Sequence, residues 1–424
     1  MTRRRTTRRT ARDRDTYRVG QVIAALAIVA ATLGALAIAG CSHKSPTPFP
    51  SASLTATPTP TPLPSAEAGD WPTYGYDRAR TRFAPNVKLR PPYKVKWKFN
   101  AGALLEFPPA IVKSKLYFNN GHGKVFCLDA LTGKVIWTHD LGAYLAATPT
   151  VAQGKVFVPS MGPHPTTSST TGGGLYVFAA ATGKLLWKIA GIGPTESSPL
   201  VWQGRVYFGD RNNTLYAVDI KSHKVVHTYT AGGRFDAAPA ELNGRIVIGS
   251  YDGTIYCFTR DLRIIWKTHV SRYIVSSDAF YATAALAYNT AYLGSIGNHI
   301  YALDLSNGAI RWSFGTGGYV YSSPAVWNGM VFEGSYDGNL YALDARTGKL
   351  IWRFGAGNPI SGSPTVLNGV VYFSSLGKRT WALDAKTGKV LWTFHDGRYT
   401  PVAASEQTVY LTGGHILYAL KPKK

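Results

Sequence analysis

Cysteine is nearly absent from this chain: Cys41, Cys127 and Cys257 are the whole complement of 424 residues. No two form a C-x-x-C pair, so the sequence gives no warrant for a thiol redox motif or a cysteine-built zinc site. H-E-x-x-H, a phosphate loop and G-x-S-x-G are missing as well, which removes the usual signatures of a zinc peptidase, a nucleotide hydrolase and a serine hydrolase. Helical periodicity of useful length is absent after residue 70, and that argues against a helical array. Acidic residues are also scarce, 23 against 46 Lys and Arg, for a formal charge of +23. Residues 1–18 hold eight Arg against two Asp, yet residues 70–424 still carry 37 basic against 20 acidic residues. The bulk of the chain is therefore itself basic, which suits solubility near an acidic cell surface or contact with an anionic partner.

The N-terminus carries addressing information. "MTRRRTTRRTARDRDTYR" (1–18) is a positive, cytoplasmic n-region, and 19–40, "VGQVIAALAIVAATLGALAIAG", has no charge at all. That run is long enough to span a bilayer, and the arginines before it direct the remainder of the chain to the outside. It ends in Ile38-Ala39-Gly40-Cys41, which resembles a bacterial lipobox and makes Cys41 the expected lipidation site. Lipid anchor and uncleaved signal helix both remain open, and both give a membrane-tethered protein on the extracytoplasmic face of the cell membrane. An exported protein is not expected to meet nucleic acid. Residues 41–69 are rich in Pro, Thr and Ser and read as an extended spacer.

From residue 70 a different order begins. Trp97, Trp137, Trp187, Trp266, Trp312, Trp352 and Trp392, with His227 where one Trp is missing, recur at separations of 40, 50, 40, 39, 46, 40 and 40. Periods near forty mark repeat architectures. Within one period, "SSPAVWNGMVFEGSYDGNLYALDARTGKLIWRF" divides into four short apolar runs separated by Asn-Gly, Asp-Gly and Thr-Gly. Asn-Gly and Asp-Gly read as hairpin turns whose two central residues both take positive φ. Four antiparallel strands per repeat predict an all-β, eight-bladed β-propeller over 70–424. One blade is split: "YKVKWKFN" supplies a fourth strand with no partners before it, and the C-terminal segment supplies three strands with no fourth. The extra length before Trp187 is assigned to the polar loop "MGPHPTTSSTTGGG", and that before Trp312 to "FYATAALAYNT".

The stretch Ala342-Leu-Asp344-Ala-Arg-Thr347-Gly348-Lys-Leu-Ile-Trp352 resembles the tryptophan-docking repeat of pyrroloquinoline-quinone-like (PQQ-like) propellers, and it recurs at 382–392 and, with Asn-Gly, at 302–312. "DWPTYGYDRARTRFAP" looks like the opening segment of that family. In each repeat Asp bonds turn amides, Gly supplies the positive φ, and Trp wedges between blades. The resemblance implies one of two functions. One is a quinoprotein dehydrogenase holding pyrroloquinoline quinone and Ca²⁺; the other is a non-catalytic scaffold, as in the lipoprotein of the outer-membrane protein assembly machinery. Family dehydrogenases commonly use adjacent cysteines against the cofactor and carry long insertions. Here those cysteines are missing and the blades are minimal, so no cofactor, metal or catalytic residue is assigned.

The balance therefore favours a membrane-anchored, non-catalytic protein-binding or assembly scaffold of the cell envelope over an enzyme. Its expected partner is an envelope protein or an anionic envelope polymer, and a monomer is expected. A ligand-sensing ectodomain is a third reading, disfavoured by the short basic segment before the hydrophobic run. Recognition is expected on loops between blades, which also hold Glu106, Tyr144 and Glu196, and on second-to-third strand turns, which hold Arg211, Tyr251 and Tyr336, with Arg234, Arg272, Tyr273, Tyr319, Tyr321, Arg398 and Tyr399 as the candidate face. Glu333 is singled out because it stands where other blades have Phe208, Ile248, Leu293 and Phe373. It is expected either to face the central channel or to be paired. Cys127 and Cys257 fall at one strand position of two distant blades, so no disulfide is expected between them.

Overall fold

The computed structural model describes residues 70–163, 172–273, 276–399 and 401–423, with only the backbone over 271–277. The n-region, the hydrophobic run, Cys41, the spacer and most of the polar loop before Trp187 lie outside the described residues. Among the described residues there is no helix, and eight four-stranded antiparallel sheets follow one another along the chain. Seven are contiguous. The eighth joins Tyr93–Asn100 to Ile416–Pro422, Val409–Gly413 and Ala403–Ala404, so the two ends of the propeller close one blade.

Burial orders the strands from the axis outward. First strands such as Thr365–Leu367 are buried throughout, whereas fourth strands such as Leu350–Gly355 alternate exposed with half-buried. The core is a series of apolar clusters between neighbouring blades: Phe157 and Val177 of the second blade meet Val206 and Phe208 of the third, for example.

Turn chemistry follows the sequence with one correction. Asn328-Gly329 and Asn368-Gly369 take positive φ at both positions, +48° and +72°, +47° and +73°. These are two-residue hairpins matching the strand twist. In the Asp-Gly turns only the glycine is left-handed, +82° at Gly253 and +83° at Gly338. There the loop is longer, and the aspartate stays right-handed to accept bonds: Asp252 Oδ1 from Thr254 N at 2.8 Å, Oδ2 from Gly232 N at 2.9 Å and from the Tyr256 hydroxyl at 2.8 Å. A second correction concerns the extra residues before Trp312. They form a small hairpin, Ser271–Tyr273 with Ser276–Ser277, ahead of the "FYATAALAYNT" segment, which keeps the standard blade register.

The recurring Trp and Gly serve two different interfaces. Trp312 donates from Nε1 to the Ala345 carbonyl of the next blade at 3.0 Å, and Trp352 likewise to Ala385 at 3.1 Å. A Cβ on Gly348 would sit 2.6 Å from the Trp312 ring, and one on Gly388 2.9 Å from the Trp352 ring. Each glycine thus provides the left-handed turn and the flat seat for the preceding blade's indole. Where the pattern fails, it fails at both interfaces of the third blade. His223 replaces the glycine in the third blade, the Trp187 ring stacks on it at 4.8 Å, and the Trp187 Nε1 is left without a partner. His227, standing for the missing Trp, faces Asp261 of the fourth blade at 3.3 Å, and Arg205 reaches the same carboxylate at 2.5 Å.

The opening segment forms a belt that sequence reasoning did not foresee. Trp71 exchanges both backbone bonds with Ile111 of the first blade. Pro72, Arg78, Ala79, Thr81 and Arg82 then accept, in chain order, from the first-strand amides of Val151, Glu241, Leu286, Val326 and Val366 at 2.7–2.9 Å. At the third blade the Arg80 side chain substitutes, bonding the Pro199 carbonyl at 3.0 Å. Phe83–Ala84 finally runs parallel to Val366–Leu367 as an added strand. Fourteen residues thus touch the first seven blades in turn. A second ring of contacts links neighbours directly: Ser198, Thr283, Ser323 and Ser363 hydroxyls accept from the amides of Thr148, Ala238, Thr283 and Ser323 in the preceding blades at 2.8–3.0 Å.

Candidate functional site

Loops entering first strands and turns joining second to third strands share one face of the ring. Their side chains converge there on a charged and aromatic network. Arg211 Nη2 donates to Glu196 at 2.5 Å and its Nε to Asp236 at 3.3 Å, while Arg234 Nε donates to the other Asp236 oxygen at 2.8 Å. Tyr144 donates to Glu106 at 3.3 Å. Tyr281, from the loop between the fourth and fifth blades, reaches Glu196 between the second and third at 3.4 Å. The Arg234 guanidinium lies 3.8 Å from the Tyr251 ring centroid. From Tyr251 a run of edge-on and tilted contacts passes through Tyr281 and Tyr321 to Tyr319 and Tyr336, with centroids 4.9–6.5 Å apart.

Burial sets the electrostatics. Asp236 is fully covered and Glu196 only 13% exposed. Burial first, then the negative Asp236, push Glu196 up to about 8, against the pull of Arg211. Burial also raises Glu106, with the Tyr144 bond opposing it. The same burial drives the Tyr251 and Tyr281 phenols upward, helped by Asp236 and Glu196 respectively. These phenols therefore stay neutral and offer ring faces and hydroxyl donors.

Of the residues picked from sequence, Arg234, Tyr319 and Tyr321 enter this network, as do the loop and turn residues Glu106, Tyr144, Glu196, Arg211, Tyr251 and Tyr336, and Tyr319 is its most exposed ring at 40%. Arg398 and Tyr399 lie on the same loop face between the seventh and eighth blades, with the guanidinium 5.5 Å from the ring. Arg272 and Tyr273 belong to the inserted hairpin, and their side chains lie outside the described residues. Glu333 is set apart from the loop face. It is fully buried, with Ser322 bonded to one carboxyl oxygen and the other without a partner, and burial raises it well above the ordinary carboxylate range. Asp236 and Tyr281 were missed. Asp236 stands two residues after the marked Arg234, but nothing in the sequence signals that Tyr281 reaches across to Glu196.

The donor set does not suit Ca²⁺, which takes about six to eight oxygen ligands. Glu196 and Asp236 are occupied by arginines, and the turn aspartates by amides and tyrosines. Among the described residues, no group of three or more His, Cys, Asp or Glu is arranged to hold a metal ion. Nor, among them, is any helix long and apolar enough to cross a membrane. Cys127 and Cys257 are both buried free thiols.

Fold and site together define a closed, eight-bladed propeller with a polar, tyrosine-rich loop face. The chain belongs to the PQQ-like propeller family whose model is described as outer membrane protein assembly factor BamB, which matches residues 94–188, 171–318, 251–344 and 297–424. It is 26% identical over 236 residues to the outer membrane protein assembly factor BamB of Moranella endobia, covering 53% of this chain and 60% of that protein. It is also 28% identical over 215 residues to a polyvinylalcohol dehydrogenase of Pseudomonas sp., covering 44% of this chain and 33% of that one. The chain thus spans no more than about three fifths of either relative. The crystal structure of BamB from Moraxella catarrhalis superposes with a TM-score of 0.67 at 15% identity, over 78% of this chain and all of that one, a likeness of fold.

Proposed function

We propose that this protein is a non-catalytic scaffold of the cell envelope. Its propeller is tethered outside the cell membrane through Cys41 or the 19–40 segment, and its loop face docks an envelope protein. One observation carries this reading: Tyr251, Tyr281, Tyr319, Tyr321 and Tyr336 form a continuous aromatic run beside Arg234, carried by a rigid ring. Tyrosine and arginine dominate binding hot spots because they add large contact area at low entropic cost. The relatives named as assembly factors support the same reading. The dehydrogenase relatives keep a quinone enzyme as the second reading. The commitment of the loop-face carboxylates to arginine weighs against it.

The test is photo-crosslinking in cells from position 319, with position 386 in an exposed turn between third and fourth strands as control. Adducts with one protein from 319 and none from 386 are expected. Equal labelling at both positions would remove the loop face as the docking surface. A separate titration with pyrroloquinoline quinone, with and without Ca²⁺, should give no saturable heat. Calcium-dependent one-to-one binding would instead select the dehydrogenase.

A further inference from the structure

The face opposite the loop face is built by the turns joining first to second and third to fourth strands, and its exposed charge has one sign. Seven of the eight blades place an exposed Lys or Arg in those turns or, in the split blade, at the chain ends that replace one. Lys113, Lys134, Lys184, Arg263, Lys349 and Lys389 are examples. Among the described residues of these turns, Glu406 is the only exposed carboxylate. The aspartates that end third strands are half-buried and organise their own turns. Asp129 Oδ1 accepts from Leu131 N at 3.1 Å and Thr132 N at 2.8 Å, and Asp384 Oδ1 from Lys386 N at 3.2 Å and Thr387 N at 3.0 Å. The loop face instead gathers carboxylates, among them Glu106, Glu196, Asp210, Asp236, Asp252 and Asp337. The basic excess of the propeller is thus concentrated on the turn face.

Apolar side chains flank that charge. A bulge opens each fourth strand just beyond its turn, as where Val135 pairs with Leu128 but Trp137 with Cys127, and two successive residues there remain exposed. In six blades both are apolar: Val135-Ile136, Leu350-Ile351 and Val390-Leu391 are 41–50% exposed, and the second, third and fourth blades repeat the pair. Exposed apolar residues scattered singly need no explanation, but paired ones recurring around the rim of a basic face mark an interaction surface. The spacer joins the propeller on this side as well. Asp70, the first described residue, accepts from the Lys113 amide of a first-to-second strand turn at 2.9 Å. We propose that the turn face docks on an anionic lipid bilayer and holds the propeller flat on it. Headgroup charge attracts the turn lysines and arginines, and the apolar pairs enter the boundary between headgroups and acyl chains. The same surface repels the carboxylates of the loop face, which leaves that face turned outward to its partner. The inference rests on the tethering proposed above and adds the orientation; the identity of the partner does not enter.

The full chain is reconstituted into lipid nanodiscs of phosphatidylcholine alone or with about 30% phosphatidylglycerol, and lysine acetylation rates are read by mass spectrometry. In the anionic discs Lys134, Lys184, Lys349 and Lys389 should react about fivefold more slowly than in the neutral ones, and about 0.5 M sodium chloride should restore the rate by screening. Lys124 and Lys378, exposed on the loop face, should react equally in both. Equal rates at the turn lysines in the two discs would overturn the proposal and leave an anionic polymer or a protein to meet this charge. The paired reversal Lys349→Glu with Lys389→Glu, at exposed positions, should lose most of the protection at Lys134 and Lys184. Protection unchanged in that variant would also overturn it, since charge would not be the cause. Retention on neutral discs in high salt reads the tether by itself. Loss of the chain there would remove the tether, while binding and protection on anionic discs would still uphold the docking face.

Discussion

Burial raises both Glu196 and Glu333 far above the ordinary carboxylate range, and their neighbours and consequences differ. Glu196 is shifted from an ordinary value near 4.5 to about 8. The unfolded chain therefore loses this proton near pH 4.5, while the folded chain keeps it until about pH 8. Stability from this group is full below 4.5 and declines as pH rises toward 8. Thermal midpoints measured across that window should fall for the native chain and fall less for Glu196→Gln. Glu333 occupies a position that is apolar in other blades, buried with one oxygen unpaired. An apolar side chain of similar volume avoids that desolvation, so Glu333→Leu should raise the urea midpoint by about 1–3 kcal/mol of stability. A lowered midpoint would show that the Ser322 bond and the attraction of Arg82 outweigh the cost of burying the carboxyl. Glu333 was legible in the sequence as an anomaly, but its burial was not, because a strand pattern gives the side of the sheet and not what packs there.

At the scale of the element, the repeat is a docking device divided between blades. The aspartate organises its own turn: Asp344 Oδ1 accepts from Arg346 N at 3.1 Å and from Thr347 N and Oγ1 at 2.7 and 2.8 Å. The indole meanwhile leaves for the neighbour. Trp352→Ala should cost ~3–5 kcal/mol in equilibrium unfolding, from lost burial and the cavity left behind. Gly388→Ala should cost ~1–2 kcal/mol for the left-handed conformation, and more as the Trp352 ring is displaced. Because the two changes strike one contact, the double variant should cost less than their sum. Additive costs would mean that indole and glycine do not share an interface. The periodic Trp and Gly were plain in the sequence. Their pairing across blades was not, because periodicity fixes spacing along the chain while the partner is set by how adjacent sheets stack.

Across the whole molecule, closure comes from two devices, the split eighth blade and the belt. The belt is local in sequence and global in contact, so single changes in it should act on the entire ring. Arg80→Leu removes bonds to carbonyls at the entrances to the third and fourth blades and leaves them unpaired in the interior. A loss of ~3–5 kcal/mol is expected, read as one cooperative unfolding transition at a lower urea midpoint. A transition that splits in two would show that the blades fold in separate groups without the belt. The sequence by itself determined the all-β class, the blade count, the minimal four-stranded repeat and the closure by both ends. Those properties follow from strand alternation, turn residues and a forty-residue period, all of which are local or periodic along the chain. Only the tertiary structure decided that 71–84 contacts seven blades in turn, that Tyr281 meets Glu196, and that Arg82 is buried against the Tyr74 ring. Each depends on residues far apart in the chain arriving at one place on a ring, and no local pattern encodes that meeting.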